Sequence, residues 1–168
     1  MQLSIFDNED FYEEILLSLQ EKYFMKIVNG QKKNEYRFNF LKTKSKAYIY
    51  LPKDKQQIVG IVFLGKPYWK DAETASKIYS DIGDGEYSIM YDWLKDKKGC
   101  YIIPIERYIK FERPISKEEL KSIDDFIAPQ TYLLLKNRIN LKSYLNDYEN
   151  NGGKIVDTDT TWTKADIV

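Results

Sequence analysis

The sequence predicts an α+β fold: a mixed or antiparallel, barrel-like sheet with short helices between its strands. Two observations lead there. Five or six β-rich runs are spread along the 168 residues, separated by gaps too variable for regular βαβ units. Neither glycine-rich phosphate fingerprint is present, which disfavours a doubly wound or phosphate-loop sheet. The length suits one domain, and 43% hydrophobic residues, with 15% aromatic, are enough to build a core without metal or disulfide.

The elements follow in order. Phe11, Tyr12, Ile15, Leu16 and Leu19 have near-helical spacing, yet Ile15–Leu19 reads equally as a short buried strand, and periodicity cannot separate the two. The i,i+4 pairs Tyr23/Ile27 and Phe24/Val28 predict a helix over 21–29, ended by Gly30 where a left-handed residue is needed. Tyr36, Phe38 and Phe40 alternate with Glu35, Arg37 and Asn39, so a strand is expected with three aromatics on one face. Ala47–Leu51 is a second strand, Pro52–Lys55 a turn, and Ile58–Leu64 a strand buried on both faces with Gly60 at a bulge or close approach. Asp71 caps a helix carrying Ala72, Ala75, Ile78 and Tyr79. A break at Asp81–Gly85 precedes a helix with Tyr87, Met90, Tyr91 and Leu94. Tyr101–Phe111 is a long strand, whose Pro104 suggests an edge or a bulge. Ser116-x-x-Glu119 is a capping box. Thr131–Leu135 is a last strand, 137–148 is helical, and 150–168 is expected as a loosely attached polar tail.

Charge and rare residues bound the chemistry. Twenty-six basic and 26 acidic residues cancel, which does not support a strongly basic nucleic-acid binder. Histidine is absent, so histidine bases and imidazole metal sites are excluded. The single cysteine, Cys100, suits a reducing cytoplasm and allows no intrachain disulfide or thiolate zinc cluster. No membrane span, metal site or cofactor is expected; Asp81, Asp84 and Glu86 do not have the spacing of a calcium loop. The charge is nonetheless uneven. Between Gln31 and Lys55, eight basic residues face two acids, a net of +6, while Asp7, Glu9, Asp10, Glu13 and Glu14 form an acidic stretch. A local basic patch on a neutral protein attracts phosphate.

Within that patch, Gly30 to Arg37 reads G-x-K-x-x-E-x-R at a helix-to-strand junction. Glu35 and Arg37, two apart on a strand, share one face, and Lys32 leans over it from the preceding turn. One rigid ledge then carries an anion, an ammonium and a planar guanidinium, a set suited to a base edge and its phosphate. The bland reading is an internal ion pair tying helix to strand, and the two are compatible. This motif resembles the signature of the ASCH domain, a branch of the PUA-like superfamily. Its context agrees: the Lys22–Gly30 helix, the strands around Tyr48–Tyr50 and Ile58–Gly60, the middle helices, the strand from Tyr101, Arg113-Pro114-Ile115 and Ala128-Pro129-Gln130.

The resemblance covers about residues 14–135. It implies a PUA-like (ASCH) mixed β-barrel over 1–135, including a short N-terminal extension, followed by a C-terminal helix and tail over 136–168. It also implies a cleft for RNA or a modified nucleotide, lined by Lys32, Glu35 and Arg37. Some ASCH proteins are amidohydrolases using lysine, threonine and glutamate. Lys32 matches the lysine, but Glu35 stands where the threonine nucleophile belongs, and a carboxylate cannot replace that hydroxyl. Others are ribonucleases using tyrosine, lysine and serine. Lys32 and Glu35 are thus the candidate catalytic pair. Lys53 and Lys55 are candidate phosphate contacts, and Tyr68 and Trp69, flanked by lysines, are candidate stacking residues. Trp93 and Tyr91 are expected in the core. The first expectation is RNA or nucleotide binding. A nuclease or nucleoside-modifying hydrolase on the same cleft is the second. The third is a protein-binding regulator of a nucleic-acid enzyme, as carried by mobile elements, using the acidic 7–14 stretch as a nucleic-acid mimic.

Overall fold

The computed structural model describes residues 11–152 and 155–161. Fifteen to seventeen decides the first ambiguity. Ile15, Leu16 and Leu17 are all buried, but Ile15 and Leu17 enter one core and Leu16 another. A run apolar at every position fits a strand with both faces covered, and β1 spans Glu13–Ser18. Helix α1 (Glu21–Val28) follows, burying Phe24 and Ile27. Gly30, at φ 74°, closes it as expected, and the amides of Gln31 and Lys32 both return to the Lys26 carbonyl.

Strand β2 is Asn34–Arg37 only. The expected row of three aromatics is therefore not formed. Tyr36 packs under the middle helices, Phe40 enters the main core, and Phe38 stands exposed between them. Its pairing with β6 stops at Arg37 opposite Tyr101, and the chain bends at Phe38 and Asn39. β3 (Ser45–Leu51) and β4 (Gln57–Leu64) form a hairpin, with Ala47, Ile49 and Leu51 on one face and Tyr48 and Tyr50 on the other.

A short strand absent from the sequence reading, β5 (Tyr68–Asp71), leads into α2 (Ala72–Asp81). The Asp71 carboxylate caps α2 by accepting from the Thr74 N–H at 2.8 Å. α3 spans Tyr87–Leu94. The 18-residue β6 (Gly99–Ser116) is the spine. Its first half carries β2 on one edge and β5 on the other; its second half carries β4 and β8. Pro104 is thus not on an edge strand: it faces Asn34 across the β2 pairing, and the register slips nearby, between Phe63/Arg107 and Leu64/Ile105. Ser116 caps α4 (Lys117–Lys121), accepting from the Glu119 N–H. β7 (Tyr132–Leu134) and α5 (Ile139–Asp147) follow. Residues 155–161, expected as loose tail, form β8 (Ile155–Thr161), antiparallel to β6.

Among the described residues, eight strands form a mixed sheet ordered β2-β6-β4-β3-β1-β7, with β5 and β8 also on β6; β1 and β3 are parallel, the other pairs antiparallel. Three apolar clusters hold it. One lies between the sheet and α1, one under α4 and α5 with Leu141 and Leu145 fully buried, and one between β2, the start of β6, α2 and α3. Cys100 is buried in the third, and burial pushes its thiol up to about 11. No helix among the described residues is long and apolar enough to cross a membrane.

The β4–β6 contact sets a sharp local constraint. A Cβ at Gly60 would sit 2.2 Å from the Ile109 carbonyl oxygen, a backbone atom that cannot step aside. Gly60→Ala should lower stability by about 1–3 kcal/mol. Urea unfolding is the measurement, and an unchanged midpoint would mean that the strands are not this close.

Candidate functional site

The site is built on β2, the end strand of the sheet beside β6. Glu35 is 8% exposed and its carboxylate is fully engaged. Oε1 lies 3.3 Å from the Lys32 ammonium and accepts the Tyr36 N–H at 2.9 Å; Oε2 accepts from Arg37 Nη2 at 3.0 Å. Arg37 also donates to the Ser18 carbonyl at 3.3 Å, tying β2 to the end of β1. The Lys32 ammonium lies 5.4 Å from the ring centroids of both Tyr23 and Tyr36, a cation between two π faces. The internal ion pairs exist, and the same three residues line an opening.

A second carboxylate fixes the ledge from behind. Asp84 accepts the Lys33 N–H at 2.7 Å, the Asn34 N–H at 3.2 Å and the Tyr36 hydroxyl at 2.6 Å. The acidic loop considered for a cation is thus a clamp on β2. Gly85 lets that loop close over Tyr79, since a Cβ there would meet the Tyr79 ring at 2.2–2.4 Å. No cluster of three or more metal-ligating side chains occurs among the described residues.

Beside the ledge opens a cleft of about 560 Å³. Lys32, Glu35 and Arg37 form its polar side, with Lys53 at its margin in a turn where its own φ is 61°. Tyr23 of α1, Tyr79 of α2 and Ile89 and Trp93 of α3 supply aromatic and apolar walls, and Gln20 and Gln130 add amides. Of the residues singled out from sequence, Lys32, Glu35, Arg37 and Lys53 come together here. Lys55 does not line the cleft; it is exposed, 4.0 Å from Glu21. Tyr68 and Trp69 do not line it either, because β5 pairs with the edge of β6 opposite to β2. Tyr68 packs into the third cluster, and Trp69 lies over Gly99.

Trp93 goes the other way. Expected in the core, it is 44% exposed on the cleft wall. The signal was present in the sequence. α3 carries two i,i+4 apolar stripes, Met90/Leu94 and Ile89/Trp93, and an eight-residue helix buries only one. In the acidic N-terminal stretch, Asp7, Glu9 and Asp10 lie outside the described residues, while Glu13 and Glu14 pair with Lys136 and Lys142.

Electrostatics assign the roles. Burial by itself raises the Glu35 carboxyl pKa, but the Lys32 and Arg37 charges and the Tyr36 N–H more than offset it and hold it below its ordinary 4.5. Near neutral pH Glu35 has no proton to donate and is a weak base, so it orients its two cations. Burial, then the Asp84 charge and hydrogen bond, raise the Tyr36 phenol, which stays protonated.

No protein-family model matches the chain, and no curated protein matches its sequence. Among solved structures, an ASCH protein from Zymomonas mobilis superposes with a TM-score of 0.63 at 22% identity, over 78% of this chain and 94% of that one. A single-substitution variant of the same protein gives 0.64 at 22% identity, over 80% and 95%. The chain has the ASCH fold, an α+β fold, as the motif implied.

Because the folded-state pKa of Glu35 is depressed, its ionisation contributes stability that is full above about pH 4.5 and is lost as pH falls below it. Glu35→Gln should leave Lys32 a buried, uncompensated charge and cost on the order of 3 kcal/mol at neutral pH. It should also flatten the acid-side decline. Urea midpoints at several pH values check both; parallel wild-type and variant curves would contradict the assignment.

Proposed function

We propose that this protein binds RNA or a nucleotide in the cleft beside β2, reading a base against the aromatic wall and a phosphate against the cationic ledge. One observation carries the reading. Lys32 and Arg37 are held by Glu35 at the side of a cleft also lined by Tyr23, Tyr79 and Trp93.

Each half of the site supports it. With two cations and one anion the ledge carries a net charge of +1, and Lys53 adds another at the margin. Arg37, 20% exposed on its side chain, spends one nitrogen on Glu35 and Ser18 and keeps its remaining donors for a ligand. Phosphate oxygens match a guanidinium fork. Aromatic walls suit any base, and the Gln20 and Gln130 amides offer both donors and acceptors to a base edge. Fixed ion pairs favour binding over acid–base chemistry, because Glu35 is committed to its cations. The ASCH fold of the Zymomonas mobilis protein is consistent with this reading.

Arg37→Ala should weaken binding at least tenfold, about 1.5–3 kcal/mol for a lost charged hydrogen bond, and wild-type affinity should fall with added salt. Titration with uridine monophosphate, single-stranded RNA and single-stranded DNA measures both. Affinity for all three that is indifferent to Arg37→Ala would remove the proposal.

A further inference from the structure

Trp93 does not stand alone at the cleft mouth. Its ring meets that of Phe38, with centroids 4.2 Å apart and planes tilted by 32°. Both remain substantially in water, Phe38 at 41% and Trp93 at 44%. Phe38 is the residue that strict strand alternation would have buried and that the bend after β2 turns out instead. Two packed aromatics that merely sealed the fold would cover at least one of them. Lys97, just past α3, holds its ammonium 5.5 Å from the Phe38 centroid and has no carboxylate partner among the described residues. The aromatic pair is continuous with the cleft, because Trp93 belongs to both.

An exposed aromatic pair beside an unpaired cation fits a planar anionic ligand: a base on the rings and a phosphate on the ammonium. A protein partner is the weaker match. A stable protein interface buries about 800 Å² per side with an apolar centre, whereas the exposed apolar groups here are Phe38, Ile89 and Trp93 at the rim of a polar-floored cleft.

We propose that Phe38, Trp93 and Lys97 form a second nucleotide subsite, so that the ligand is a single strand of two or more nucleotides. One base occupies the cleft, its neighbour packs on the Phe38–Trp93 pair, and Lys97 exchanges its ring contact for a phosphate. The inference rests on the cleft reading above and specifies its ligand as an oligonucleotide.

The test is fluorescence anisotropy with a labelled uridine octamer, competed by uridine monophosphate, on wild type and on Phe38→Ala, Phe38→Leu, Lys97→Ala and Arg37→Ala. Wild type should bind the octamer at least tenfold more tightly than the mononucleotide. Phe38→Ala and Phe38→Leu should weaken octamer binding by about 5–150-fold, the range of one lost stacking contact, with mononucleotide binding within about twofold of wild type. Lys97→Ala should weaken the octamer alone and lower its salt dependence. Three results would each overturn the subsite while leaving the cleft reading in place: equal affinity for octamer and mononucleotide, full octamer affinity in Phe38→Leu, or a wild-type dimer that Phe38→Ala dissociates without changing octamer binding. Failure of wild type to bind either ligand, or indifference of both ligands to Arg37→Ala, would remove the cleft reading and the subsite together.

Discussion

A carboxylate withdrawn from water carries a desolvation cost of several kcal/mol, and only close cations and donors can offset it. Glu35 meets that requirement with Lys32 on one oxygen and Arg37 on the other. The consequence reaches beyond the pair. Two flexible cationic side chains lose their freedom to one anion, and both are fixed where the cleft opens. On the proposed reading, a ligand phosphate arriving there would find charge already oriented, so little of its binding energy would go into ordering side chains.

The open edge of β2 makes the arrangement possible. A free strand edge normally invites another strand. Here the Asn34 amide donates to Asp84 and the Tyr36 amide to Glu35, so carboxylates occupy donors that a further strand would use. The same two residues thus shape the site and guard it. At this edge Asp84 links the α2–α3 loop to the strand, and α3 contributes Trp93 to the cleft lining. Cleft floor and cleft wall are held in register by this aspartate together with the apolar cluster that β2, α2 and α3 share.

The parts legible in the sequence were those governed by local rules. Gly30 as helix stop, Asp71 and Ser116 as caps, Ile58–Leu64 as a doubly buried strand and Gly60 as a close approach all depend on neighbours within a few residues or on composition of one run. The Lys32–Glu35–Arg37 ledge was legible because a period of two and one turn fix it. Tyr68, Trp69, Lys55 and Trp93 were misplaced for a common reason. Whether an exposed aromatic or lysine reaches the cleft depends on which edge of β6 its strand occupies and on which stripe of α3 faces inward. Those are pairing choices between elements far apart in sequence. Phe38 failed for a related reason: alternation says which face a residue would take, but not where its partner strand runs out.

Lys32, Arg37 and Trp93 line one cleft, and the proposed function requires that cleft to be a single shared binding space. Side-chain NMR during titration with uridine monophosphate tests it most directly, following the Lys32 ammonium, the Arg37 guanidinium and the Trp93 indole in the same samples. A shared space predicts that all three signals move along one saturation curve, with the Trp69 indole unmoved. Shifts confined to Trp69, or three signals that remain still at saturating nucleotide, would contradict it.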